Sequence, residues 1–425
     1  MRANRQDLKR RVVITGIGVV SSTGMGKTAF WEAVRDGRSG IKHVTGFDCE
    51  RLSSRVAGQI TDFDPTVYMT HAEARRAGRF THYSVGAAFM AVEDSGIDLS
   101  RVEPFRAGTV FGSSMGGNGN VADDIYSRWL KSGYDGMSTT DCVQIGAHAA
   151  TSHVFIGLGL RGPNTSVSSG CTTGLEAINV GTEILRNDQA DLMIVGAGEA
   201  SVGPVAMSAL CKTGVLTKYN EEPEKASRPY DITRNGLALS EGAGALVLET
   251  AWHAMERGAT IYAEVVGYGT STEGQHLIMP DPSGVELAKA LELALLQAHL
   301  APDDVDYFCS HGIANVDYDR ADTRAAKRVL GERAYNIPVS SIKGVTGQPF
   351  GPGGVWQVAA SCMAMQEGVV PPTINLHQPD PECDLDYVPL RARRARIETV
   401  ITNSHSFGGT HAAMILRRFS ETDQG

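Results

Sequence analysis

The chain has 425 residues, with 39 Lys and Arg against 48 Asp and Glu, a net charge of -9, and 42% hydrophobic but only 7% aromatic residues. That balance excludes a broad basic surface for nucleic acid, and it is the composition of an α/β protein with a sizeable core. With no 18-residue apolar run and no signal-peptide pattern, neither a membrane span nor export is expected. Seven cysteines without CxxC pairs read as reduced thiols of a cytoplasmic protein.

In chain order, the same design occurs twice. RVVITGIGVVSSTG (11–24) is an apolar β-rich run ending in a turn, and IYAEVVGYGTSTEG (261–274) repeats it. VFGSSMGG (110–117) and YFCSHGIAN (307–315) are each a short strand entering a small-residue loop. TSVSSGCTTGLEAINVGTEILR (165–186) and IPVSSIKGVTGQPFGPGGVWQVAASCMAM (337–365) each run Val-Ser-Ser, a glycine loop, then a helix. The strand pairs 191–200 with 244–249 and 400–409 with 412–418 complete the parallel. Five features in one order predict two βαβ-type halves, 1–255 and 256–425. The continuous apolar strands imply sheets covered on both faces. Segments 115–160 and 205–240 are too long for simple loops and are expected to cap the site. The basic run Arg391 to Arg396 reads as a solvated edge.

Cys171 stands between a predicted strand and a helix starting near Thr172. A thiol there feels the positive end of the helix dipole, which favours thiolate. Gly170 and Gly174 permit the sharp turn of a nucleophile elbow.

GCTTGLEAI, the opening strand RRVVITGIGVVSSTG, FWEAVRDGRSGI (30–41) and VVPPTINLHQPDPECDLDYVP (369–389) resemble the β-ketoacyl-acyl-carrier-protein synthase family, most closely the type II polyketide ketosynthases. The resemblance runs from Arg11 to Arg418. It implies a thiolase-like fold, five layers α/β/α/β/α from two similar halves. It also implies an acyl carrier protein as partner, substrates held on its phosphopantetheine with no cofactor of the enzyme's own, and a homodimer or a heterodimer with a related chain.

Residue by residue, the resemblance implies that Cys171 accepts the acyl group and that His311 of CSHGIAN supports decarboxylation and the enolate oxygen. Asp319 and Asp322 occupy the places of an acidic pair, and Lys343 is expected to form a buried ion pair with Asp322 beside His311. Phe407 matches the gate of the acyl pocket. Its N–H and that of Cys171 would form an oxyanion hole, each donor contributing about 3 kcal/mol. Met115 matches a position lining the acyl pocket.

The site departs from the family in several places. Gln348 replaces a second histidine, and an amide donates hydrogen bonds but cannot pass a proton. Ile313 and Asn315 replace hydroxyls that would contact pantetheine, and Ile278 replaces a threonine. In the gate segment, His405 replaces a phenylalanine and Ser406 a glycine. His405 could return the imidazole lost at Gln348.

Three readings follow. The first is decarboxylative condensation of a Cys171-bound acyl chain with a malonyl-type unit. The second is acyl transfer from Cys171 without decarboxylation, with His311 as general base. The third is a non-catalytic partner like the chain-length-factor subunits, against which the intact Cys171, His311 and Lys343 argue. TGMGKT (23–28) lacks the first glycine of a P-loop, GIGVVS (16–21) lacks the third of a dinucleotide fingerprint, and no histidine spacing points to a metal.

Overall fold

The computed structural model describes residues 5–421. Among them, the long apolar runs form strands that share one hydrogen-bonded path. From one edge the order is Val339–Ser340, Tyr307–Cys309, Thr399–His405, Thr410–Arg417 and Ala263–Thr272, then Val12–Ser21, Gly242–Thr250, Leu192–Glu199, Ala107–Gly112 and Asn164–Val167. Numbered by chain order within each set of five, both sets run three, two, four, five, one from their outer edge. The two sets meet where Val12–Ile14 pairs antiparallel with Ala263–Val265.

Alternation along each strand divides the core into layers, because successive side chains leave opposite faces. Leu192 and Ile194 pack outward with helices Arg79–Ser95 and His148–Leu158, whereas Met193 and Val195 pack inward. In the other set, Ile401, Ala413 and Ile415 face helices Val285–Ala298 and Val316–Leu330, and Val400, Ala412 and Met414 face inward. Between the sheets lie helices Thr173–Arg186 and Pro352–Glu367. The second is buried almost all round, as a helix enclosed on every side must be. The result is the expected five-layered thiolase-like fold.

The two central helices touch at their N-termini through glycine. A Cβ on Gly354 would come within 2.7 Å of Leu175 Cγ, and one on Gly174 within 2.6 Å of the Gly351 carbonyl. This close approach brings the turn before the first helix, which carries Cys171, against the turn before the second, which carries Lys343 and Gln348. The duplication therefore places equivalent loops of the two halves face to face.

The capping expectation holds only in part. Helix Pro204–Thr213 contributes Met207 and Leu210 to the apolar cluster around Cys171. Helix His148–Leu158, however, packs Ala149, Ala150 and Val154 on the outer face of the first sheet, away from the site. The arginines of segment 391–396 are exposed, with Arg393 paired to Asp386 and Arg396 to Glu398. Among the described residues, no helix is long and apolar enough to cross a membrane.

Candidate active site

Cys171 sits in a single 3-10 turn, Gly170–Thr172, before helix Thr173–Arg186. The turn needs Gly170, which has φ +65° and a position where a Cβ would collide with Ser406 Oγ. The thiol is 5% exposed, and Gln348 Nε2 donates to its sulfur at 3.2 Å. Burial pushes the thiol up to about 11, although the Lys343 cation, Gln348 and the Phe407 N–H favour thiolate. Here the structure corrects the dipole argument: the desolvation of a buried sulfur outweighs one helix terminus, so Cys171 rests as the protonated thiol.

The oxyanion donors also differ from expectation. The Cys171 N–H already donates to Ser406 Oγ at 2.9 Å. Ser404 Oγ donates to the Cys171 carbonyl at 2.9 Å and lies 3.4 Å from His311 Nδ1, tying the nucleophile turn to the opposite half. Phe407 packs against Phe350 and Tyr318, followed by Gly408 and Gly409 at positive φ.

His311 belongs to a loop held by buried acceptors. Its N–H donates to Asn403 Oδ1 at 2.8 Å, the Gly312 N–H to Asp322 at 2.7 Å, and the Ile313 N–H to Asp319 at 3.0 Å. Asp319 and Asp322 lie one helical turn apart on Val316–Leu330, so both reach the loop. They hold Ala314 at φ +66°, a conformation a non-glycine residue adopts only when its surroundings impose it. Burial pushes Asp319 up to about 6 against the buried Arg234 guanidinium, 3.0 Å away. Burial works on Asp322 in the same direction, but His405 and the Gly312 and Asn403 donors hold it below the usual carboxylate range.

Lys343 does not pair with Asp322. Its Nζ donates to the His311 carbonyl at 2.6 Å and to Gln357 Oε1 at 3.1 Å, and it faces His311 Nδ1 at 3.4 Å. Three acceptors thus serve three N–H bonds, and burial lowers the ammonium to about 8. The basic group near Asp322 is instead His405, with Nε2 3.4 Å from Oδ1. Burial, the Lys343 charge and the neighbouring imidazoles His405 and His411 hold His311 well below the ordinary histidine range. A cation at Nδ1 makes that nitrogen the acceptor, so the neutral ring carries its proton on Nε2. Nε2 is buried with no hydrogen-bond partner among the described residues.

Met115, Ile278 and Ile313 cluster with Cys171, Val202, Met207 and Phe350 in an apolar wall. Asn315 is not part of it. Its side chain caps helix Val316–Leu330 by accepting from Asp317 N at 3.1 Å and Tyr318 N at 3.4 Å. Residues unforeseen from sequence surround these groups. Glu199 accepts from Ser113 Oγ, Ser114 N and Met115 N, and burial pushes it up to about 7. A lone carboxylate ending the apolar strand 192–199 was its only signal. Tyr318 donates to the Ile278 carbonyl at 2.8 Å and stacks near His405. His411 pairs with His405 across the hairpin.

Comparison with known proteins places these features together. The profile of the β-ketoacyl synthase N-terminal domain matches residues 9–254, and that of the C-terminal domain matches 262–377. The chain is 38% identical over 418 residues to 3-oxoacyl-[acyl-carrier-protein] synthase 2 of Coxiella burnetii, covering 96% of this chain and 99% of the relative. It is 40% identical over 422 residues to the granaticin polyketide putative beta-ketoacyl synthase 1 of Streptomyces violaceoruber, covering 97% and 100%. It superimposes, with a TM-score of 0.90 and 30% identity, on a structure of a type II polyketide synthase acyl-carrier protein in complex with its ketosynthase bound to the hexaketide, covering 96% of this chain and 100% of that one.

Burial and His405 lower His411 to about 3. A base depressed by folding leaves the unfolded chain binding more protons below its ordinary value near 6.5, so stability is lost as pH falls through that value. At pH 5 the loss due to His411 is about 2 kcal/mol. His411→Gln removes it, so between pH 7.5 and 5 the variant gains about 2 kcal/mol on the wild type in denaturant titrations. A pH-independent difference contradicts a neutral, buried His411.

Proposed function

The chain belongs to the β-ketoacyl synthase family of acyltransferases, and from that premise we propose that it condenses an acyl chain carried on Cys171 with a malonyl-type unit on an acyl carrier protein. The enzyme brings no cofactor of its own; both substrates arrive on the carrier's phosphopantetheine. It works as a dimer, with itself or with a related chain. The observation that carries the reading is the buried His311 imidazole, with the Lys343 ammonium 3.4 Å from Nδ1 and Nε2 unengaged.

In the first step the Cys171 sulfur attacks the thioester carbonyl. A C–S bond forms to Cys171, the C–S bond to pantetheine breaks, and the thiol proton leaves with the pantetheine sulfur. Negative charge on the carbonyl oxygen takes the Phe407 N–H and the Cys171 N–H, for which Ser406 must give way. In the second step the malonyl unit loses CO2, and the electron pair moves to the thioester oxygen as an enolate. This oxygen needs hydrogen-bond donors and no proton transfer. The Nε2–H of His311 is one, and the Gln348 amide is the other, so loss of the second histidine is compatible with decarboxylation. In the third step the enolate carbon attacks the acyl carbon, and Cys171 leaves as thiolate.

Gln348 also favours a second reading, acyl transfer from Cys171 to another nucleophile without loss of CO2. Intact-mass analysis with acyl- and malonyl-carrier proteins separates the two. The expected result is an acyl adduct on the wild type, none on Cys171→Ala, and CO2 release from malonyl-carrier protein. An adduct without CO2 release selects the second reading, and no adduct refutes both.

Ser406→Gly frees the Cys171 N–H from a hydrogen bond of about 1 kcal/mol, so single-turnover acylation is expected to rise about fivefold. A slower or unchanged rate contradicts the blocking role of Ser406.

A further inference from the structure

Condensation has a proton balance that the residues above do not meet. Acyl-S-Cys171 and the malonyl unit yield product, CO2 and the Cys171 thiolate, and the buried sulfur returns to its thiol by taking one proton from outside in every cycle. Gln348 cannot carry a proton, and Lys343 is engaged by three acceptors.

A line of groups able to carry it stands beside His311. His405 and His411 are directly opposite each other on strands Thr399–His405 and Thr410–Arg417. Their ring centroids are 5.6 Å apart, and that of His405 is 4.5 Å from His311 and 4.8 Å from Tyr318. Both rings are 1% exposed, and none of their four nitrogens makes a well-formed hydrogen bond among the described residues. Buried polar atoms are usually hydrogen-bonded, and the nearest polar neighbours of these two adjacent imidazoles are carboxylates, Asp322 at 3.4 Å and Glu273 at 3.1 Å, an arrangement suited to carrying protons. At the outer end, His411 Nε2 lies 3.1 Å from Glu273 Oε1. The Glu273 carboxyl is 2% exposed, while residues 274–277, which follow it, are exposed. The line therefore runs from the base of the exposed 274–277 segment to the rings of His311 and Tyr318, and Tyr318 shares an apolar cluster with Cys171.

We propose that Glu273, His411 and His405 form a proton path from the exposed 274–277 segment to Cys171, a proposal that rests on the condensing function above. The carboxyl of Glu273 gives its proton to one nitrogen of His411, which releases the proton on its other nitrogen to His405. His405 delivers a proton to the Cys171 thiolate, whose lone pair forms the S–H bond, and Glu273 is recharged from water. An imidazole can accept on one nitrogen and release from the other, as a relay requires. The charged and titratable groups facing the path are Asp322 beside His405, Asp281 and Glu286 around Glu273, and Lys343 and Cys171 at its inner end.

The test uses the full chain, with carrier-bound substrates. The first acylation starts from the thiol and needs no proton from outside, so it is expected to be unchanged in His411→Gln and Glu273→Gln. Steady-state condensation is expected to fall at least about tenfold in each, more steeply as pH rises from 6 to 9. Steps in series make the double variant no slower than the slower single one, whereas independent structural damage multiplies. Added imidazole is expected to restore turnover in His411→Ala, which it does not do for a misfolded protein. Unchanged turnover in both single variants, multiplied losses in the double variant, or failure of imidazole rescue overturns the path while normal acylation leaves the condensing function standing. Absence of any acyl adduct on the wild type overturns both.

Discussion

The contact on which the site depends is that of one ammonium, Lys343 Nζ, with both the carbonyl and the ring Nδ1 of His311. It sets where the imidazole sits and which nitrogen carries the proton. A buried cation needs partners to be tolerated at all, and here the partners are neutral: a backbone carbonyl, the Gln357 amide and the ring itself. Gln357 in turn donates to the Cys309, Ser310 and Asn403 carbonyls and to Thr402 Oγ1. One central helix thereby fixes two strands and the loop that carries the histidine.

This arrangement follows from the duplication. Each half supplies a turn before a central helix, and glycine contacts at the two helix starts bring the turns together. The site is then divided between the halves: Cys171 comes from the first, and His311, Lys343 and Gln348 from the second. The price of such enclosure is a thiol that resists ionisation. The enclosure that keeps water from Cys171 also pushes its sulfur up to about 11.

Much of this was legible in the residues. Apolar runs ending in glycine-serine turns located the strands, because continuous hydrophobicity is what two-sided burial demands. Cys171 has a distinctive glycine-flanked setting between strand and helix, and His311 has two acids following at helical spacing, but both roles came from the family resemblance of their segments. Direction in space was not legible. Lys343 and Asp322 are both buried beside His311, but their side chains serve different partners, and charge alone predicted a pair that does not form. Asn315 caps helix Val316–Leu330 with its side chain, because the helix needs an acceptor for its first N–H groups. The bond made by the Ser406 hydroxyl and the place of His411 beside His405 went unread for the same reason. The hydroxyl acts across 235 residues of chain on the Cys171 N–H, whereas the histidine lies across a Gly408-Gly409 turn from His405, a spacing that a hairpin alignment could have shown.

The central claim, a neutral His311 whose proton lies on Nε2 because Lys343 occupies Nδ1, is tested most directly by nitrogen-15 NMR of the histidine side chains in the whole protein. The account predicts a His311 ring with protonated Nε2 and bare Nδ1 throughout pH 6 to 8. A ring protonated on Nδ1, or an imidazolium in that range, contradicts it.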